Sequence, residues 1–253
     1  MTKLHEIPIP NYSMPDWDVY QSTPIVECDD PLVPVSVSKR IGFYPAYYKM
    51  NVANSIPECH VRSQVFDRLL HAASLLPKGI QLVVLDGWRP FAVQQYLFDT
   101  LVNLIMHTHV QLTSEEVNLA ARNLVSPPST DPRAPSPHLT GGSVDVTLAD
   151  DEGRFLDMGS LFDEASPSSW TYYFEDKSLN SRETLARNNR RMLFNAMTKS
   201  GFTNLPSEWW HYDFGNQLWA YNSGNQNAIY GATRPLGIEK LWQKQLSRDI
   251  SSR

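Results

Sequence analysis

The chain has 253 residues, 42% of them hydrophobic, enough for one compact core and little reason to divide it further. Its 22 Lys and Arg stand against 27 Asp and Glu, a net charge of −5, and no basic run tracks along any segment, which argues against a nucleic-acid partner. No stretch is apolar for long enough to span a membrane, the amino terminus lacks the continuous apolar run of a secretory signal, and two cysteines, Cys28 and Cys59, make no disulfide framework; a reduced, cytoplasmic protein is expected.

Residues 1–45 are broken by Pro, Tyr and short polar interruptions, and predict an irregular or short-stranded lead-in with little helix. Val65, Phe66, Leu69, Leu70, Ala73 and Leu76 recur at helical spacing and predict a helix over 61–76, stopped by Pro77-Lys78-Gly79. The apolar, β-branched run 81–86 predicts a buried strand with polar residues at its exit, and a second helix follows Pro90 through Ile105. Residues 115–124 predict a short third helix, whereas the proline-rich stretch 126–137 excludes regular structure. From Ser143 to Leu148, Val144, Val146 and Leu148 alternate with Ser143, Asp145 and Thr147, a strand with one apolar and one polar face. A long helix over 180–200 has Asn180 or Ser181 as cap, Leu185, Met192, Leu193, Ala196 and Met197 as core positions, and Gly201 as stop. Residues 209–214 read as an aromatic strand and 237–250 as a final amphipathic helix. The fold class expected is α+β, a single compact domain over 1–253 with a small, mainly antiparallel sheet flanked by helices, an irregular extension over 1–45, and a tail of unassigned role over 232–253.

Two segments carry metal-ligand chemistry. In Ser136-Pro137-His138-Leu139-Thr140-Gly141-Gly142-Ser143-Val144-Asp145, a loop bearing His138 turns back through two glycines into the strand bearing Asp145. In Ser207-Glu208-Trp209-Trp210-His211, an acid stands three positions before a histidine among aromatics; in a regular strand these two face opposite sides, so the segment must bend near Pro206 for both to serve one site. Either pair alone is more often a hydrogen-bonded pair than a ligand set. A third cluster, Asp86-Gly87-Trp88-Arg89-Pro90, lies at a strand exit, where charged pairs are commonly structural but sites are also assembled.

Together and in this order the three clusters resemble the zinc D-Ala-D-Ala dipeptidases, the VanX-type branch of the D,D-peptidases. The family's Ser-x-His-x-x-Gly-x-x-x-Asp is matched by Ser136, His138, Gly141 and Asp145, its Glu-x-x-His by Glu208 and His211, and its Asp-Gly-Tyr/Trp-Arg-Pro by 86–90. The resemblance extends to 157–163 and to 217–220 with Tyr230-Gly231, and runs from about Tyr47 to Gly231. It implies one zinc per chain held by His138, Asp145 and His211, attack of a zinc-activated water, Glu208 as general base and acid, and Arg89, oriented by Asp86, stabilising the oxyanion. Asp163 would pair with the ammonium of a small D,D-dipeptide, and Ser136 would hydrogen-bond the substrate. The family's substrate-contacting tyrosine corresponds to Tyr47, with Tyr44 and Tyr48 as alternatives. A D,D-carboxypeptidase or peptidoglycan endopeptidase of the same zinc chemistry is the rival activity, and a zinc- or peptide-binding module without catalysis the rival class. The oligomeric state is not legible in the sequence.

Overall fold

A computed structural model describes residues 3–122, 124–238, 242, 243 and 246. Its helices are α1 (Trp17–Gln21), α2 (Ala46–Lys49), α3 (Ser63–Leu75), α4 (Phe91–Thr108), α5 (Ser114–Arg122), α6 (Ser181–Lys199) and α7 (Gln217–Asn222). Its strands are β1 (Leu32–Pro34), β2 (Gly42–Phe43), β3 (His60–Arg62), β4 (Ile80–Asp86), β5 (Ser143–Asp150), β6 (Thr203–Asn204) and β7 (His211–Asp213). Five strands form one sheet in the order β2-β4-β5-β7-β6, antiparallel except for the β2–β4 pair, and β1 pairs with β3 beside it. The α+β class and mainly antiparallel sheet are as expected. Among the described residues no helix is long and apolar enough to cross a membrane.

The sheet positions everything else. Leu82, Val84, Val144, Val146 and Leu148 point from β4 and β5 to one side, where Val65 and Leu69 of α3 and Leu193 and Met197 of α6 complete the main core. Proline after α3 forbids its continuation, and α6 begins with a reciprocal cap between Asn180 and Glu183 and ends at Gly201, whose φ is +89°. The alternation in β5 does not divide core from solvent. Ser143, Asp145 and Thr147 are as buried as the valines between them, because loops and the lead-in cover the second face too.

Two expectations are corrected. Leu185, expected in the core, is 54% exposed, because the buried face of α6 runs through Ala186, Asn189, Leu193 and Met197 instead. The strand expected over 209–214 is only His211–Asp213, since Glu208 and His211 donate their backbone N–H groups to Leu205 and Glu208 in successive turns. The lead-in is short-stranded, as expected: β1 and β2 each join a sheet, and the Gln217 amide, at the start of α7, donates to the carbonyls of Gln21 and Thr23. The tail helix expected over 237–250 falls largely outside the described residues.

Candidate metal centre

Strand register assembles the site. A bulge at Leu85 sets Asp86 opposite Asp145, and Asp145 lies opposite His211, so three neighbouring strands present three ionisable side chains in one row. His138 joins the row from the short 3-10 turn Pro137–Thr140, which ends at Gly141 with φ +70°. A Cβ on Gly142 would stand 2.5 Å from the carbonyl oxygen of Phe214, so only glycine lets the chain pass this close to β7.

The Nε2 of His138, the Nδ1 of His211 and the Oδ1 of Asp145 converge: 3.2 Å between the two nitrogens, 3.4 Å from His138 to Asp145 and 3.1 Å from His211 to Asp145. All three residues are buried. The far nitrogen of each ring faces an acceptor, Nδ1 of His138 the carbonyl of Gly87 at 2.8 Å and Nε2 of His211 both carboxylate oxygens of Asp213 at 3.2 Å. Those nitrogens carry the protons, so in the neutral rings the converging atoms are lone pairs. Three lone-pair donors turned on one another repel unless a cation or a proton lies between them, and this set can hold a metal ion.

The charges around the cluster follow. Burial opposes ionisation of Asp145, but His138 and His211 beside it hold its carboxyl well below the usual range. Burial likewise disfavours charge on His211, yet Asp213 and Asp145 raise its pKa well above that of a free imidazole. Asp213 is itself fixed by Ser143 at 2.7 Å and the Asn216 amide at 2.6 Å. Asp213 was missed in the sequence, although His211-x-Asp213 on a strand puts both on one face, the signal that would have found it. Asp213→Asn is expected to weaken divalent-metal affinity about 10–100-fold, measured by competition with a chelator. Unchanged affinity would show that His211 is oriented without Asp213.

Arg89 leaves the end of β4 and is buried beside the cluster. Its Nε donates to Asp86 at 2.7 Å, Nη1 to Gln94 at 2.7 Å and Nη2 to Asp145 at 3.0 Å, and its guanidinium lies 4.7 Å from the centre of the Tyr47 ring. Burial works against its charge, but Tyr47, Asp86 and Asp145 more than offset that and raise its pKa. Gln94 is a second residue the sequence did not single out. Of the three candidate tyrosines, Tyr47 is 5% exposed and lines the cavity, while Tyr44 and Tyr48 are 41% and 45% exposed. The Tyr47 hydroxyl lies 3.3 Å from Asp163 and 3.4 Å from Arg89.

Glu208 stands at the edge of the cluster, its carboxylate 3.8 Å from Nδ1 of His211. The expected bend is present, two turns between Leu205 and His211. Burial, with Asp145 and Asp163 adding negative charge, pushes its carboxyl up to about 8 against the opposing pull of His211 and Arg89. A cation at the cluster would lower it. Asp163 adopts a left-handed backbone, φ 61°, in a loop fixed by Arg190, whose buried guanidinium donates to the carbonyls of Met158, Ser168 and Trp170.

Ser136 does not reach the cavity. Its hydroxyl donates to the Pro127 carbonyl at 3.1 Å and accepts from the Ser129 N–H at 2.7 Å, tying the proline-rich loop to itself. The remaining cavity wall includes Leu205, Ser207, Trp210, Leu218 and, from the lead-in, Trp17.

Known proteins resemble this chain in the same segments. Residues 51–229 match a family model described as D-ala-D-ala dipeptidase, Peptidase_M15. A D-alanyl-D-alanine dipeptidase of Synechocystis sp. is 33% identical over 217 residues, 79% of this chain and 87% of its own length. One from Escherichia coli is 30% identical over 135 residues, 53% of this chain and 55% of its own. A solved structure, VanYB in complex with D-Alanine-D-Alanine, covers 66% of this chain and 80% of its own at 17% identity and a TM-score of 0.40, a likeness too slight to argue from.

Proposed function

We propose, from the premise that the chain belongs to the D-Ala-D-Ala dipeptidase family, that it is a zinc hydrolase cleaving the free D-Ala-D-Ala dipeptide to two D-alanines. The observation that carries this reading is the convergence of His138, Asp145 and His211 beside Glu208 and Arg89 in one cavity. The donor set suits zinc: at Zn–N and Zn–O bonds of about 2.0–2.1 Å, tetrahedral ligand atoms stand about 3.3 Å apart, and these stand 3.1–3.4 Å apart. When bound, zinc would polarise the scissile carbonyl and lower the pKa of a water to about 7.

The protein's own groups do the rest. Glu208 takes the proton of the attacking water on a carboxylate oxygen and returns it to the departing amine nitrogen. Arg89 has five N–H donors, of which Asp86, Gln94, Asp145 and Tyr47 engage four, so it retains one, on Nη1, for the oxyanion. Asp163 takes the substrate ammonium, and Tyr47, between Asp163 and Arg89, fixes the spacing of the two. Gln94 and Asp86 hold Arg89 in place. Residues 1–253 are read as one dipeptidase domain, since Trp17 of the lead-in lines the same cavity.

The zinc-loaded protein is expected to contain about one zinc per chain and to release D-alanine from D-Ala-D-Ala, with L-Ala-L-Ala and a D-Ala-D-Ala-terminated pentapeptide as comparisons. Equal cleavage of the pentapeptide would establish the carboxypeptidase instead. Bound zinc without turnover on any of the three would leave a binding module.

A further inference from the structure

Two cavities meet at the candidate centre. The inner one, around the cluster, has about 40 Å³ of free space. A single water needs about 10–15 Å³ of such space, so the inner cavity fits closely around whatever it holds. The outer one has about 180 Å³ and shares Asp163, Ser207, Glu208 and Trp210 with the inner. Its far wall is a single face of α4, where Tyr96, Leu97, Thr100, Leu101 and Leu104 follow one another at helical spacing. Tyr96 and Leu104 are exposed there, apolar side chains that line a groove continuous with the site. The Ser207 hydroxyl, in the wall common to both cavities, is buried without a hydrogen-bond partner.

We propose that the outer cavity receives the side chain of the substrate's first residue, and that the substrates include D,D-dipeptides whose first residue is larger and apolar, such as D-Leu-D-Ala. The inference rests on the dipeptidase reading. The carbon that carries the ammonium also carries the first side chain. Asp163 lines both cavities, so a ligand whose ammonium is anchored there has its first side chain within reach of the outer one. Leu97, Leu101 and Leu104 of α4 give a hydrocarbon side chain an apolar surface to cover, opposite a wall that carries Asp163, Glu164 and Glu208.

The test uses the full-length zinc-loaded protein and compares kcat/KM for D-Ala-D-Ala and D-Leu-D-Ala. D-Leu-D-Ala is expected to equal or exceed D-Ala-D-Ala. Thr100→Trp, which fills the groove, should lower the ratio of D-Leu-D-Ala to D-Ala-D-Ala at least tenfold, the scale at which pocket fit discriminates side chains. Leu104→Asp, at an exposed position where folding is not at stake, should shift the ratio in the same direction. Cleavage of D-Ala-D-Ala with D-Leu-D-Ala a hundredfold poorer would overturn the proposal and leave the dipeptidase reading standing, as would variants that depress both substrates alike. Hydrolysis of neither by the zinc-loaded protein would overturn the dipeptidase reading and the proposal with it.

Discussion

Replacing Glu208 by glutamine is expected to lower kcat for D-Ala-D-Ala by about 10²–10⁴-fold, the range of a lost general acid–base group, with zinc content unchanged. Glutamine keeps the shape and much of the hydrogen bonding of the glutamate but neither takes nor returns a proton. Its side chain lies outside the converging donor atoms: Oε2 is 3.8 Å from His211, while the three donors stand within 3.4 Å of one another. Activity and metal content should therefore separate. Turnover surviving near the parent rate would remove Glu208 from the acid–base role, and loss of zinc would make it part of the donor set.

Arg89→Met is expected to damage both rate and stability. Loss of a single oxyanion donor costs about 10²–10³ in kcat. The stability effect arises because Arg89 is the buried cation of Asp86 and Asp145, and breaking a buried ion pair by removing one partner costs about 3–5 kcal/mol. Chemical denaturation should show a lower midpoint with little change in slope. A variant as stable as the parent would mean that the two carboxylates do not depend on Arg89, and one with the parent's rate would assign oxyanion stabilisation elsewhere.

What could be read in advance followed physical lines. His138 and Asp145 stand near each other in sequence, joined by two glycines, and a local pattern of that kind survives folding: the turn, the reversal and the strand are where 138–145 suggested. Arg89 and Asp86 were legible for the same reason, as neighbours at a strand exit. Contributions from distant segments were not. Trp17 meets the cavity across some two hundred residues from Leu218, and Gln94 is one polar residue in an otherwise helical pattern. Asp213 lies within reach of a period-two pattern with His211, but the aromatic residues around it dominate the segment. Leu185 and Ser136 depart from their expected surroundings in different ways. Met192, Leu193, Ala196 and Met197 are buried in the expected phase while Leu185, near the start of α6, faces outward, and the Ser136 hydroxyl is bonded within its own loop.

The cross-strand row of Asp86, Asp145 and His211 has a consequence for how the protein can go wrong. Side chains alternate along a strand, so sliding β5 by one residue against β7 would turn Asp145 toward α6 and bring Val144 into the donor row. Such a misfolded chain could keep its strands and helices, and so its circular dichroism, while having no place for an ion. Metal uptake would therefore distinguish a sheet closed in this register from one closed a step out of it, where a spectrum of the backbone would not.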